Sequence, residues 1–385
     1  MALQRLTSKA PKNETRFQAL DALRGLAAVA VVFFHIDDFG LIAGLPFFRE
    51  ARLFVDFFFV LSGFVIACAY GERIAGGYSR GAFLCLRFFR IYPLHLVMVL
   101  IYLFMELALI RPVLGESHDL FYLVRALFML DGFWPSADNY FSTVSWSLSV
   151  EFVAYLIAAL LFGSGRKGIA VAVFLVATAS ICLAFSINVI GFGQLLQRGI
   201  VGFGTGTLVF AIWQRYRLVV SDMVATIVEA LVLLSVFLLL SYPPAGDFRF
   251  LACVPLFAMM VFIFAHEQGL FSRLLLTAPM LAVGAWSYSI YMVHLFIISS
   301  INRAAEQIFL RLGWTDLLRE EGLTYGLRAM DLGPLMNTAL SLAVCLIAIL
   351  VGSQTFKYIE EPWRLYGKKL VKERMARSGG AAQAG

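Results

Sequence analysis

Apolar stretches of roughly 18 or more residues, each long enough to cross a hydrocarbon core about 30 Å thick, recur along almost the whole chain. Ten can be read: 23–42, 53–70, 91–110, 144–163, 168–188, 195–214, 220–241, 249–266, 282–301 and 334–356. In lipid every backbone polar group has to be satisfied internally, which leaves helices or a closed barrel. A barrel would show short alternating segments instead of long apolar runs. The expected class is therefore all-α, a polytopic integral membrane bundle of about ten transmembrane helices. Composition agrees: 61% of residues are hydrophobic and 15% charged, against about 45–50% and about 25% in soluble domains. Segment 118–131, "HDLFYLVRALFMLD", is too short to cross and is amphipathic, so a surface or tucked-in helix is expected.

The formal charge is +6. Basic residues between apolar runs report orientation rather than nucleic-acid binding. Lys and Arg are about twice as frequent on the side that holds the termini, which predicts that both termini are cytoplasmic. The long segments 111–143 and 302–333 then fall outside, where they could shape a cavity. The expected organisation is a cytoplasmic N-terminal segment (1–22), a transmembrane domain (23–366) and a basic cytoplasmic tail without structure (367–385). The first apolar run looks like a retained span rather than a cleavable signal. The five cysteines are scattered, without metal-ligand or disulfide-framework spacing, so no metal site is expected.

Ionisable groups within a bilayer cost roughly 2.5–3.5 kcal/mol each, so each raises a functional hypothesis. In "LDALRGLAAVAVVFFH" (20–35), Arg24 and His35 are eleven steps apart. Eleven steps of about 100° return to within about 20°, with a rise of about 16 Å. Both side chains therefore share one face. An interfacial anchor plus a core histidine would fit; so would a cation for an anionic ligand and a base for proton transfer. Asp38, three residues on, could orient the ring, while Asp37 reads as solvated. Asp56 sits among aromatics, and Ser62-Gly63 beside it reads as packing. In "LRFFRIYPLH" (86–95), Arg87 and Arg90 share a helix face, Pro93 suits a first turn, and His95 reads as interfacial. Positive-inside anchoring or a phosphorylated cytosolic ligand would both explain the arginines. Ser145, Trp146, Ser149 and Glu151 open the fourth span. Ser287, Tyr288, Tyr291 and His294 form a polar stripe in the ninth, where interhelical hydrogen bonding is the plainer reading for the tyrosines. In "YIEEPWR" (358–364), Glu361 could pair with an arginine. Glu106 and Glu229 lack site-like neighbours.

Arg24-x10-His35, "FFVLSGFVI" (58–66), "LRFFRIYP" (86–93), "WSLSVEFVAYL" (146–156), "YSIYMVHLF" (288–296) and "IEEPWR" (359–364) occur in this order. Together they resemble the membrane-bound acyltransferase-3 family of bacteria over residues 17–366. Where many members have a second polar residue after the glutamate, this chain has Phe152 and Val153. Some members carry a fused extracytoplasmic esterase-like domain, which is not expected here. The resemblance implies an O-acyltransferase of the bacterial inner membrane. It would carry an acyl group, usually acetyl, from acyl-CoA as donor substrate, with no permanently bound cofactor. The acceptor would be a hydroxyl of a carbohydrate or lipid-linked saccharide, with a small hydroxylated metabolite as the alternative. His35 would be catalytic, with Asp38 and Glu151 as candidate partners. Arg24, Arg87 and Arg90 would hold the acyl-CoA. From the residues themselves, Asp56, Ser145, Trp146, Tyr291 and His294 are candidates to line the substrate cavity. From the residues alone, a transporter using the buried ions as a relay competes with this reading, and direct transfer competes with a covalent acyl-enzyme.

Overall fold

The computed structural model describes residues 16–36, 40–109, 120–133, 144–188, 192–246, 248–319 and 329–381. Its helices are α1 (Gln18–His35), α2 (Pro46–Arg49), α3 (Phe54–Ala75), α4 (Arg80–Leu109), α5 (Leu120–Leu127), α6 (Ser145–Leu161), α7 (Gly165–Ala184), α8 (Gln194–Arg215), α9 (Asp222–Ser241), α10 (Phe248–Phe264), α11 (Leu270–Leu275), α12 (Ala278–Leu312), α13 (Pro334–Thr355) and α14 (Glu361–Ala381). Two short strands, β1 (Leu318–Arg319) and β2 (Ala329–Met330), pair antiparallel. Among the described residues, eight helical segments are long and apolar enough to cross a membrane. Two shorter apolar helices, α6 and α10, complete the ten stretches read from the sequence. The chain is a polytopic helical membrane protein.

Three local expectations need correction. Pro93 lies inside α4 rather than in its first turn, because that helix already begins at Arg80. Its start is set by Ser79, whose Oγ accepts from the backbone N–H of Ala82 at 3.2 Å. The tail expected to be without structure from 367 onward is helical as far as Ala381. There α14 continues α13 through a π-helical turn at Phe356–Glu360 and lies on α4. Phe89 stacks on Trp363 at 6.1 Å, and a Cβ at Gly367 would stand 2.6 Å from the Phe89 side chain. The third concerns α12, which runs eleven residues past its expected end before Gly313 (φ +72°) closes it.

The chain forms two compact units, Met1–Phe64 with Leu208–Ser353, and Val65–Thr207 with Gln354–Gly385. In the first unit α1 and α12 are interior helices, each 61% buried in its apolar window, against 28% for α9. The exposed face of α9 carries Ile227, Leu231, Leu234 and Phe237, as a lipid-facing helix should. Lipid tails are as apolar as leucine, so tight helix contact in a bilayer depends on small residues. Here they are Gly25 and Gly284. A Cβ on Gly25 would come within 2.6 Å of the Gly284 backbone nitrogen, and one on Gly284 within 2.5 Å of the Asp21 carbonyl oxygen.

Farther along, His35 of α1 meets His294 of α12. Both contacts advance in the same chain direction, so the two helices are parallel. Parallel spans require an odd number of crossings between them. The seven long or apolar helices from α3 to α10, α5 excepted, satisfy this.

Glu229 of α9, wholly buried, serves the fold. It accepts from the backbone N–H groups of Gly269 (3.0 Å) and Ser272 (3.1 Å) and from Ser272 Oγ (2.5 Å). This satisfies donors at the start of α11 that helix geometry leaves open. Ala19 N–H at the start of α1 likewise donates to Glu267 at 2.8 Å.

Gly284→Val should cost on the order of 1–3 kcal/mol or more, because backbone cannot yield as a side chain can. Gly71→Ala, with nothing within 4 Å of the added methyl, should be neutral or mildly stabilising. Melting temperatures of the detergent-purified variants check this. Equal values for the two would refute the close-contact account.

Candidate functional site

In the first unit the α1–α12 seam carries a line of polar groups. Arg24 Nε donates to Ser287 Oγ at 2.8 Å, and an Nη donates to the Gly284 carbonyl at 3.2 Å. The same guanidinium pairs with Asp21 at 3.0 Å and keeps about a quarter of its side chain exposed. Eleven residues on, His35 meets His294, with Nδ1 of the first 3.2 Å from Nε2 of the second. Ser287 and His294 are seven residues apart, within about 20° on one helix face. The stripe on α12 and the shared face of α1 are thus two halves of one seam.

Hydrogen-bond chemistry fixes the tautomers of this pair. A carbonyl oxygen only accepts. His294 Nδ1 is 2.6 Å from the Tyr291 carbonyl, so it carries hydrogen, and neutral His294 presents Nε2 as an acceptor. His35 Nδ1 faces both that acceptor and the Val31 carbonyl at 3.0 Å, so it too carries hydrogen. The lone pair of neutral His35 is then on Nε2. Tyr291 packs on His294 at 5.6 Å and edge-on to Phe58 at 5.9 Å. Asp56 is fully buried in the first turn of α3, where a helix N-terminus favours a carboxylate. Asp38, expected to orient His35, lies outside the described residues. Among the described residues a ring nitrogen of α12 lies beside His35.

The second unit holds the other sequence candidates. Arg87 donates to the Tyr70 hydroxyl at 3.2 Å. Arg90 pairs at 2.5 Å with Glu360, whose side chain is fully buried in the π-turn. Glu361, the expected partner of an arginine, binds Arg364 one turn on, at 2.5 Å. Glu151 accepts from the Tyr155 hydroxyl, four residues along α6. Trp146 lies under the Arg198 guanidinium, 5.2 Å from ring centre.

Ser145 donates to Asp131, which also pairs with Arg125 at 3.2 Å, all three buried. Burial holds the Asp131 carboxyl above its usual range, opposed by Ser145 and Arg125. Gly132 lets this turn press on α6, since a Cβ there would stand 2.7 Å from Val150. Of the two placements expected for segment 118–131, its described residues 120–131 take the tucked-in one, and Arg125 and Asp131 are additions to the sequence reading. Arginine amid apolar residues in "LFYLVRALFML" was their one visible signal. His95 is fully buried rather than interfacial, with Nε2 2.7 Å from the Ala126 carbonyl. Among the described residues no group of three or more His, Cys, Asp or Glu is placed to hold a metal ion.

The family model described as an acyltransferase domain matches residues 17–357. The chain belongs to the acyltransferase-3 family. It is similar to acyltransferase MdmB of Streptomyces mycarofaciens, 29% identical over 93% of this chain and 95% of that protein. It is also similar to O-acetyltransferase OatA of Staphylococcus aureus, 26% identical over 74% of this chain. The matched part is about half of OatA, 51% of its length. No solved structure matches. This acyltransferase-3 member is therefore an acyl-transferring enzyme, which decides against the transporter reading. His35 and His294 both fall within the matched span.

In this acyltransferase, Arg125→Met should destabilise by about 3–5 kcal/mol, since it strands the buried Asp131 carboxylate. Removing both charges with Arg125→Met/Asp131→Leu should recover most of that loss. A melting-temperature cycle reads it. A double variant as unstable as the single one would show that the pair is not what the site depends on.

Proposed function

We propose that this enzyme moves an acetyl group from cytoplasmic acetyl-CoA to a hydroxyl of a sugar or polysaccharide, in a bacterial inner membrane with both termini cytoplasmic. The observation that carries the reading is the His35–His294 contact, one helix seam away from Arg24. The name of OatA supports acetyl as the group and oxygen as the acceptor. A small hydroxylated acceptor is the alternative, and the near full-length match to MdmB keeps it open.

The proposed chemistry is direct transfer. His35 Nε2 takes the proton of the acceptor hydroxyl, and the oxygen attacks the thioester carbonyl. The new imidazolium holds its Nδ1–H toward His294 Nε2, which accepts it. His294 thereby steadies the charge and the ring orientation, as a carboxylate does in a hydrolase triad. The tetrahedral adduct collapses, the C–S bond breaks, and the proton passes from His35 to the departing CoA sulfur. The products are an ester and free CoA thiol.

Arg24 is partly exposed and stands about 16 Å along the same helix face, a span suited to an extended thioester arm. In this reading its cation meets the donor's phosphates. Arg87 and Arg90 are proposed for the same ligand, Arg87 as the freer of the two, because Arg90 already has a buried carboxylate partner. Asp56, Ser145, Trp146, Tyr291 and Glu151 remain candidate cavity or catalytic residues. Ser145 and Glu151 are engaged by Asp131 and Tyr155.

The test uses purified protein, labelled acetyl-CoA and a total extract of cells lacking this protein as the acceptor source. Thiol release and base-labile ester are both read. His35→Ala should lower transfer about 10²–10⁴-fold, the usual range for a general base, and His294→Ala by a smaller factor. Undiminished transfer by His35→Ala would remove that residue from the mechanism. Arg24→Gln should raise the KM for acetyl-CoA.

A further inference from the structure

Beyond the histidine pair, on the side away from Arg24, the first unit carries a half-open cavity of about 30 Å³. That is room for roughly two water-sized groups. Its walls include Ile36, the residue after His35, and Ile298, one turn after His294, with Val344 opposite on α13. Both histidine-bearing helices therefore run on into its lining. Ile301 also lines it, seven residues past His294 and so on the same α12 face.

Three polar side chains interrupt the apolar wall, Asn302, Asn337 and Ser341, all buried. Asn337 is held in one orientation. Its Oδ1 accepts from the Leu332 N–H at 3.1 Å, and one Nδ2–H donates to Asp331 at 3.2 Å. Asp331 is itself fixed by Arg319 at 3.0 Å and the Gly333 N–H at 3.2 Å. The second Nδ2–H of Asn337 remains to donate. Ser341 gives its hydrogen to the Thr338 carbonyl at 2.8 Å, so its oxygen remains to accept. Residues 337 and 341 are one turn apart on one face of α13.

One donor and one acceptor side by side match a hydroxyl, which needs an acceptor for its hydrogen and a donor for its oxygen. The described lining is apolar apart from these three uncharged side chains, which suits an uncharged group. We propose that this cavity receives the acceptor, and that it selects an uncharged hydroxyl-bearing group with an apolar flank through Asn337 and Ser341. The proposal rests on the acyl-transfer reading above. The residues are specificity determinants, and the proton transfer stays with His35.

The test uses the same purified protein, labelled acetyl-CoA and total extract, with two variants. Ser341→Ala should raise the extract concentration for half-maximal ester formation about tenfold, as loss of one hydrogen bond to substrate does. Its KM for acetyl-CoA should not move. Val344→Phe fills the cavity and should abolish ester formation, while acetyl-CoA still raises its melting temperature as in wild type. If Val344→Phe does not fold, Ser341→Ala alone decides. Wild-type half-saturation by extract in the folded variants overturns the proposal, as does a raised acetyl-CoA KM in Ser341→Ala, which would give the cavity to the donor. A wild-type protein that forms no ester at all instead overturns the acyl-transfer reading, and this proposal falls with it.

Discussion

The backbone-to-backbone approach of Gly25 and Gly284 sets the geometry on which the candidate site depends. A bilayer gives two helices no hydrophobic reason to associate, so close packing of small residues has to supply it. Once that contact is made, the register of α1 against α12 is fixed along the seam. Arg24 then reaches Ser287, and His35 reaches His294. A slip of one turn, about 5.4 Å, would break both pairings together. The polar residues add little packing of their own. They occupy places that two glycines have already brought together.

The buried polar groups of this protein divide by what they leave over. Glu229 is used up in holding the start of α11. Glu360 neutralises Arg90, and Asp131 is shared by Arg125 and Ser145. Such groups explain their own presence, because each satisfies a partner that would otherwise be stranded. The line along α1 and α12 differs. Arg24 remains partly exposed after its three contacts. Asn337 and Ser341 retain one donor and one acceptor beside a cavity. Capacity that persists after internal pairing is what a substrate can use.

Much of the fold was legible because membrane spans are written in length and apolarity, and both survive in a single sequence. The common face of Arg24 and His35 was legible too, since eleven helical steps fix it within one element. Contacts between elements were not. Nothing near position 35 announces its contact with a histidine 259 residues away on another span. Glu361 does pair with an arginine, Arg364, but the Arg90–Glu360 pair was not legible, since the π-turn at Phe356–Glu360 turns Glu360 toward α4. Irregular backbone of that kind shifts the face of every residue around it. The helical tail escaped for a related reason. Lys368, Lys369, Lys372 and Arg374 look solvated, while Gly367 and Val371, buried one turn apart, carry the packing.

The choice of a second histidine beside His35 has its own physical logic in a membrane. A carboxylate there would fix a negative charge in a low-dielectric interior, at about 2.5–3.5 kcal/mol on insertion scales. Two neutral imidazoles carry no net charge at rest, yet the acceptor nitrogen of His294 still fixes the His35 tautomer. In the proposed transfer, positive charge appears on His35 only while negative charge develops on the attacking oxygen and then on the leaving sulfur. The histidine pair would thus be polar when it reacts and neutral when it waits. That arrangement also limits what His294 can be. Protonated, it would turn a donor toward the Nδ1–H of His35 and break the contact, so it can serve only as a neutral acceptor.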